Sequence, residues 1–390
     1  MGVFIPHSKL HTLKEYKYQS DDRSITTKYF LKPFWTQFVK IFPLWMAPNM
    51  VTLSGFFFIL LNLITVLIYD PYLDNAEKPS WIYFSYALGL FLYQTFDACD
   101  GMQARRTGQS GPLGELFDHC IDALNTSLSC IVFGSTITCG WGWLLVVSQF
   151  ATLMNFYMST WEEYHTHVLF LSEFSGPVEG ILILVGVYIF TGFKGAHVWR
   201  DPVIYLNLEK LNMGSEFPLT VTKLFSFVGA IGLLFNIYSA RRNALVKLTE
   251  PSHQKEASKG LIPFFFFYTT VFVQVFLYRD AILPDAGLPL VLSIGLTMAF
   301  SVGRIIVAHL TKQDFPMCQP PMFIPIGQII LTELLTRVFK FDQATVANNL
   351  EWTGFGLSLG IHALFVTEII YEITGYLDIW ALTIKHKKID

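Results

Sequence analysis

The sequence predicts an all-α, polytopic integral membrane protein with about ten transmembrane helices, preceded by an amphipathic helix at the membrane surface. The 390 residues are 52% hydrophobic and only 15% charged, whereas a soluble protein carries about 25% charged residues. The mean hydropathy is +0.44, and the apolar residues fall in long runs between short polar segments. The net charge of −3 offers no strongly basic surface, so no nucleic-acid partner is predicted.

Residues 1–50 are predicted to form a cytosolic N-terminal segment. No apolar h-region follows the first residues, so a cleavable signal is not expected. Residues 31–45 read LKPFWTQFVKIFPLW and mix aromatic side chains with Lys32 and Lys40. This mixture is typical of a helix that lies in the membrane interface, and a soluble amphipathic helix is the alternative.

Ten apolar runs follow this segment. Several are shorter than the roughly 20 residues that a spanning helix needs, so the second and third must take residues from the polar stretch between them. Ten spans place both termini on one side of the membrane. Most of the 27 Lys and Arg residues fall on segments of that side, which the positive-inside rule identifies as cytosolic. The runs are 51–69, 81–96, 116–138, 141–158, 178–193, 219–239, 261–277, 288–308, 322–335 and 352–371.

The polar stretch between the second and third runs is the most informative part of the chain. Residues 97–122 read DACDGMQARRTGQSGPLGELFDHCID. At about 100° per residue in a helix, its side chains form two acidic faces on two helices joined by a Gly-rich turn. The first face holds Asp97, Asp100, Gly101 and Ala104, and the second holds Glu115, Asp118, His119 and Asp122.

These carboxylates predict a site for two Mg²⁺ or Mn²⁺ ions. Carboxylates beside apolar segments are costly unless something pairs them, and a set of oxygen ligands suits these hard cations. Asp97 and Asp118 are placed to bridge two ions, with Asp100 and Asp122 completing one site each. Two ions about 3.5–4 Å apart would clamp a diphosphate. The five cysteines show no metal-site spacing and are interpreted as reduced packing residues.

The residues around the aspartates suit a phosphate-bearing ligand. Gly101 and Ala104 carry almost no side chain, so a large ligand can approach the backbone there. Arg105 is able to hold a phosphate through two hydrogen bonds.

The signature resembles that of the CDP-alcohol phosphotransferases at every fixed position. The matching residues are Asp97-x2-Asp100-Gly101-x2-Ala104-Arg105-x8-Gly114-x3-Asp118-x3-Asp122. Flanking segments (FPLWMAPN, YQTFDACDG, GPLGELFDH and STWEEYHTH) resemble the eukaryotic, and in particular the fungal, ethanolamine- and cholinephosphotransferases. The likeness extends from YKYQSDDRS near the start to LDIWALTIKH near the end.

The resemblance implies transfer of phosphoethanolamine or phosphocholine from a CDP-alcohol to diacylglycerol, with release of CMP. It assigns Gly101, Ala104, Arg105 and Gly114 to CDP-alcohol binding. Asn49 either joins them in the nucleotide pocket or is merely a helix N-cap. A homodimer in the endoplasmic reticulum or Golgi membrane is implied, with the active site facing the cytosol.

The resemblance also divides the chain. We predict a catalytic helix bundle at 51–240, a polar cytosolic loop at 241–260, and C-terminal helices with a cytosolic tail at 261–390. The C-terminal helices are assigned to dimerisation and a lipid chamber. Lys387 and Lys388 form either a dilysine retrieval signal or a basic tail near anionic lipid.

A general base must take the proton of the lipid hydroxyl, and His119 and Asp122 are the candidates. Aspartate starts from a pKa of about 3.9 and histidine from about 6.5, so a histidine is the better base near neutral pH. Glu115 precedes His119 by four residues and is predicted to orient its imidazole, as carboxylates do for other catalytic histidines. We therefore favour His119, with Glu115 as its partner.

Further polar residues are candidates for the headgroup and lipid site. Trp161 or Tyr164 offers a face for a cation, and Glu162 or Glu163 offers a counter-charge. Ordinary interfacial anchoring explains the same segment, and a zinc cluster is a third interpretation. Glu179 either lines the substrate chamber or pairs with Arg304 or Lys223. The acids and histidine of the last run (His362, Glu368, Glu372) are consistent with packing or chemistry.

Two other functions are consistent with parts of the sequence. A related enzyme with an inositol or glycerol-phosphate acceptor shares the signature. A cation transporter explains intramembrane acids at a helix break. It does not explain why Gly101, Ala104 and Arg105 share the acidic region.

Overall fold

The computed structural model describes residues 2–16, 19–22, 24–171, 176–206 and 217–386. In these ranges the chain is mostly helical, which confirms the predicted helical class of the protein. The α-helices are α1 (Lys32–Phe38), α2 (Pro48–Tyr69), α3 (Ser80–Thr107), α4 (Pro112–Thr136), α5 (Trp143–Thr166), α6 (Pro177–Lys194), α7 (Val221–Lys247), α8 (Pro251–Lys259), α9 (Ile262–Leu310), α10 (Ile324–Arg337) and α11 (Gln343–Leu377).

Every predicted apolar run falls on one of these helices, but two runs share α9. That helix bends where Tyr278 and Ala286 leave helical geometry. Pro284 and Pro289 lie close to the bends, and proline removes a backbone donor from a helix interior. Five helical stretches of the described chain are long and apolar enough to span a membrane: α2, α6, α7, α8–α9 together, and α11. The number of ten spans stays a prediction.

Four short strands accompany the helices in the described ranges. Strand β1 (Ser20–Asp22) pairs in parallel with β2 (Leu169–Leu171). Strand β3 (Pro202–Leu206) pairs antiparallel with β4 (Phe217–Thr220). The first pair ties the N-terminal segment to the end of α5.

A helical segment overlaps the predicted surface helix, and its position at the membrane surface stays a prediction. Helical turns run without a break from Thr27–Leu31 through α1 to Val39–Ile41, rather than over 31–45. Trp35 is buried, whereas Phe34 on the same helix is exposed. The segment therefore has one face against the bundle and one apolar face directed outward.

The segment 241–260, predicted to be a polar loop, is helical instead. Helix α7 continues to Lys247, and α8 follows almost at once. Ala257 of α8 is buried, and its carbonyl accepts a hydrogen bond from Trp161 Nε1 at 2.9 Å. Tertiary docking thus stabilises a polar helix that local composition does not reveal.

The core is arranged around α9, which packs against α4, α5, α10 and α11. Helices α2, α3 and α6 form a second layer against α4. All five cysteines are free, as predicted. Lys387 and Lys388 lie outside the described residues.

Candidate active site

The acidic stretch forms a helical hairpin of α3 and α4. Helix α3 ends at Gly108, whose φ of +68° is a left-handed conformation that glycine adopts without strain. Pro112 then opens α4, where its missing N–H costs nothing. The turn is short, so the acidic faces of the two helices meet.

Three of the four signature aspartates converge. Asp97, Asp100 and Asp118 each offer a carboxylate oxygen, and these oxygens all lie within 4.8 Å of one another. One oxygen each of Asp97 and Asp118 (Oδ1) is buried and accepts no hydrogen bond. Buried, unpaired carboxylates are destabilising, and like charges this close repel. A divalent cation removes both penalties, so these residues fit a metal site.

Hydroxyl groups donate hydrogen bonds to Asp100 and Asp122, here called the outer aspartates. Thr52 of α2 donates to Asp100 Oδ2, and Tyr93 of α3 donates to Asp122 Oδ1. Each bond fixes one carboxylate oxygen and leaves the other for a ligand. Our sequence analysis missed both donors. Tyr93 lies four residues before Asp97 on the same helical face, which is the signal that could have identified it.

We expect Tyr93→Phe to weaken Mn²⁺ binding by about 10- to 100-fold, because partners of metal ligands orient them. Phenylalanine keeps the buried ring and removes only the hydroxyl that holds Asp122. Electron paramagnetic resonance of Mn²⁺ titrated into the purified protein measures the effect. Tyr83→Phe is the matched control, since Tyr83 is equally buried on α3 and its hydroxyl has no partner. Equal affinities in the two variants would contradict the expectation.

The residues assigned to the nucleotide lie along the same hairpin. Arg105 is exposed, and its Nη1 lies 3.6 Å from where a Cβ on Gly101 would be. Asn49 Oδ1 lies 3.9 Å from the corresponding position on Gly114. Ala104 is buried near the end of α3. A side chain at either glycine would narrow the space beside the aspartates.

Asn49 is not a helix cap, which corrects one of its two interpretations. The N-cap of α2 is Ala47, and Asn49 is the second helical residue. Its Nδ2 donates to the carbonyl of Ala381 at 2.9 Å. Gln109 similarly donates to the carbonyl of His386 at 2.9 Å. The chain after α11 therefore lies against the signature hairpin.

His119 is buried on α4, and each of its two ring nitrogens faces an oxygen atom. Its Nδ1 lies 3.0 Å from the main-chain carbonyl of Glu115, which only accepts, so Nδ1 carries the proton. Its Nε2 is left with a free lone pair, 4.0 Å from Glu163 Oε2. In this tautomer Nε2 is able to accept a proton.

The contact expected between the Glu115 carboxylate and His119 is replaced by this main-chain contact. Helical spacing brings the carbonyl of residue i to residue i+4, so the backbone of Glu115 reaches the ring first. The Glu115 carboxylate instead accepts from the Tyr16 hydroxyl. The carboxylate closest to Nε2 belongs to Glu163, which the sequence offered only as an alternative to Glu162.

Two of the predicted headgroup residues are engaged in packing. Trp161 is fully buried and docked on α8, so its predicted cation–π face is not accessible. Tyr164 keeps partial exposure, while its hydroxyl donates to the carbonyl of Gln313 at 2.8 Å. Glu162 accepts from Asn243 Nδ2 at 2.8 Å. Within the described residues, this segment supplies no group of three convergent zinc ligands.

Glu179 lies at the start of α6, where its Oε1 accepts from the Ser24 hydroxyl and its Oε2 is buried without a partner. The predicted pairing with Arg304 is wrong. Arg304 lies over the Phe4 ring and donates to the Phe4 carbonyl at 3.1 Å. The other predicted cation, Lys223, donates to the carbonyl of Pro218 at 2.7 Å.

Comparison with known proteins agrees with this geometry. The chain is 50% identical, over the whole of both proteins, to the choline/ethanolaminephosphotransferase 1 of Saccharomyces cerevisiae. The profile of the CDP-alcohol phosphatidyltransferases matches residues 45–213. The protein belongs to this family. It is also 50% identical to the cholinephosphotransferase 1 of the same yeast and 35% identical to the choline/ethanolaminephosphotransferase 1 of Arabidopsis thaliana, again over the full length of each.

Family membership confirms the resemblance seen in the sequence. The matched residues 45–213 contain the whole α3–α4 hairpin, so the convergent aspartates belong to the part of the chain that defines the family. The protein is therefore a membrane enzyme of the CDP-alcohol phosphatidyltransferase family.

Proposed function

We propose that the protein transfers phosphoethanolamine, phosphocholine or both from the CDP-alcohol to the hydroxyl of diacylglycerol, which gives the phospholipid and CMP. One observation carries the proposal. Three aspartate oxygens converge between α3 and α4, in a chain half identical over its full length to a choline/ethanolaminephosphotransferase. General likeness favours ethanolamine or both headgroups.

The aspartates would hold two Mg²⁺ or Mn²⁺ ions in two different ways. Asp97 and Asp118 each keep a buried oxygen with no donor, which supports their assignment as metal ligands. Asp100 and Asp122 each have one oxygen taken by a hydroxyl donor, which supports one ligand atom from each. When bound, the ions would neutralise the diphosphate of the CDP-alcohol.

We assign the general base to His119. The lipid hydroxyl oxygen attacks the phosphorus next to the headgroup, its proton passes to His119 Nε2, and the bond from that phosphorus to the CMP oxygen breaks. The Glu115 carbonyl keeps Nδ1 protonated, and the Glu163 carboxylate stabilises the imidazolium that forms. Asp122 is the weaker candidate, because Tyr93 already donates to one of its oxygens.

Substrate binding completes the site. Arg105 would hold a phosphate oxygen above Gly101, while Gly114 and Asn49 would line the nucleotide pocket beside Ala104. Glu162, Tyr164 and Glu179 remain our candidates for the headgroup and lipid. Glu179 has the strongest support, since its Oε2 is a buried acceptor without a donor.

We further infer ten spans, a homodimer in the endoplasmic reticulum or Golgi membrane, and an active site at the cytosolic face. The outward apolar face of Thr27–Ile41 supports a surface-lying helix. The catalytic bundle at 51–240 and the C-terminal helices at 261–390 keep their proposed roles, with α8 between them as a docked helix.

Release of CMP from the purified protein tests the function. Reactions contain Mg²⁺, diacylglycerol and either CDP-ethanolamine or CDP-choline, with Asp122→Ala as control. We expect release with at least one donor, abolished in the control. Replacing diacylglycerol by inositol or glycerol phosphate should give no release. A folded protein inactive with both donors would overturn the proposal and return the acidic site to the transporter interpretation.

A further inference from the structure

The N-terminal residues 2–16, here called the N-terminal strap, pack along the bundle rather than extending from it. Ile5, Leu10 and Leu13 of the strap are buried at 1%, 5% and 2% exposure. They join a core cluster that includes residues of α4, α9 and α11. The strap is thus part of the fold around the active site.

Charged residues of two long helices anchor the beginning of the strap. Glu368 of α11 accepts from the backbone N–H groups of Val3 and Phe4, the latter at 3.0 Å. Arg304 of α9 donates to the carbonyl of Phe4 at 3.1 Å and lies 5.1 Å from the centre of its ring. These contacts give Glu368 a role that the sequence did not assign.

The middle of the strap is fixed along α9 and the turn that follows it. The Thr12 hydroxyl donates to the carbonyl of Leu310 at 3.2 Å. Glu15 pairs with Lys312 at 2.7 Å. Anchors near both ends restrict where the last residue of the strap, Tyr16, is able to lie.

Tyr16 reaches the active site. Its hydroxyl donates to Glu115 Oε2, while Glu115 Oε1 is buried and has no partner. Glu115 lies in the first turn of α4, and its own carbonyl holds the ring of His119. A glutamate side chain rotates about three bonds, so this one hydroxyl is what fixes the carboxylate in the buried site.

We propose that Tyr16 is a positioning residue for the transfer reaction. It holds the Glu115 carboxylate one helical turn before His119 on α4, where its charge adds to that of Glu163 in stabilising the imidazolium formed when His119 takes the proton. Charge–charge interactions strengthen in a site shielded from water, so a displaced carboxylate stabilises the imidazolium less. The inference rests on the proposed function and on His119 as base.

Tyr16→Phe tests the inference, because it keeps the ring and removes only the donor. We expect kcat for CMP release to fall about 10-fold, in line with a hydrogen bond to a charged group. The KM values for the CDP-alcohols should not change. Tyr83→Phe is the matched control: it also removes a tyrosine hydroxyl, this one is buried without a partner, and kcat should stay at the wild-type value.

A double-mutant cycle separates positioning from general loss of structure. In the Glu115→Gln background, Tyr16→Phe should cause no further fall in kcat, because the proposed effect of the Tyr16 hydroxyl passes through the Glu115 carboxylate. An equal fall in both backgrounds, or wild-type kcat in Tyr16→Phe, would overturn the inference. Thermal unfolding of each variant checks that the fold is retained. Wild-type CMP release is measured in parallel, and its absence would count against the proposed function instead.

Discussion

Asp118→Asn is expected to reduce CMP release by about a thousandfold or more, the largest effect of any single substitution we predict. Asp118 is one of the two aspartates with a buried oxygen that no donor satisfies, and it lies within the group of three convergent carboxylates. Asparagine has nearly the same shape but no charge. Loss of one preorganised electrostatic group in an active site costs about 10²–10³-fold, and a bridging carboxylate would affect both ions.

The same substitution should not lower the stability of the metal-free protein. With no cation present, Asp97, Asp100 and Asp118 repel one another, so removal of one charge is expected to raise the unfolding temperature or leave it unchanged. Asp280→Asn is the matched control, because Asp280 is exposed on α9 and pairs with the adjacent Arg279. A metal-free Asp118→Asn protein that is less stable, with normal turnover, would refute the metal assignment.

His119→Ala is expected to lower kcat by about 10²–10⁴-fold, the range of general acid–base catalysis. Binding of the CDP-alcohol should be retained, because the role proposed for His119 is to take the proton of the lipid hydroxyl and not to hold the nucleotide. Steady-state CMP release and direct binding of CDP-ethanolamine to the purified variant measure the two quantities separately.

Imidazole added to the His119→Ala protein should restore part of the lost rate, since the truncated side chain leaves space next to Glu163. His253→Ala is the matched control, because His253 is exposed on α8, where it lies 3.8 Å from Glu250. Wild-type turnover in the His119 variant would return the base to Asp122.

The sequence predicted the acidic residues of the site because their arrangement depends on residue spacing within one short stretch of the chain. Four aspartates at helical spacing, a Gly-rich turn and a proline that opens a helix determine an acidic hairpin before any tertiary contact is known. The apolar runs were located correctly for the same reason. The sequence did not show whether a helix continues past a proline. In the structure, α9 contains two of the predicted runs and bends between them.

Contacts between distant segments could not be read in this way. The polar segment 241–260 became helical because α8 docks on Trp161, and that docking also buried the ring predicted to face a headgroup. Glu115 was expected to orient His119 through its carboxylate. Tyr16, 99 residues earlier in the chain, holds that carboxylate instead. The spacing of residues within α4 does not predict this contact.

The sequence by itself thus determined the membrane class, the family likeness and the acidic residues of the signature, because hydrophobic runs and helical spacing are properties of short stretches. Only the tertiary structure decided which groups hold those acidic residues. Thr52 and Tyr93 fix the outer aspartates, Glu163 approaches His119, and Tyr16 reaches Glu115. A buried polar group must find its partner wherever the packed fold places one, and that partner has no fixed spacing in the chain.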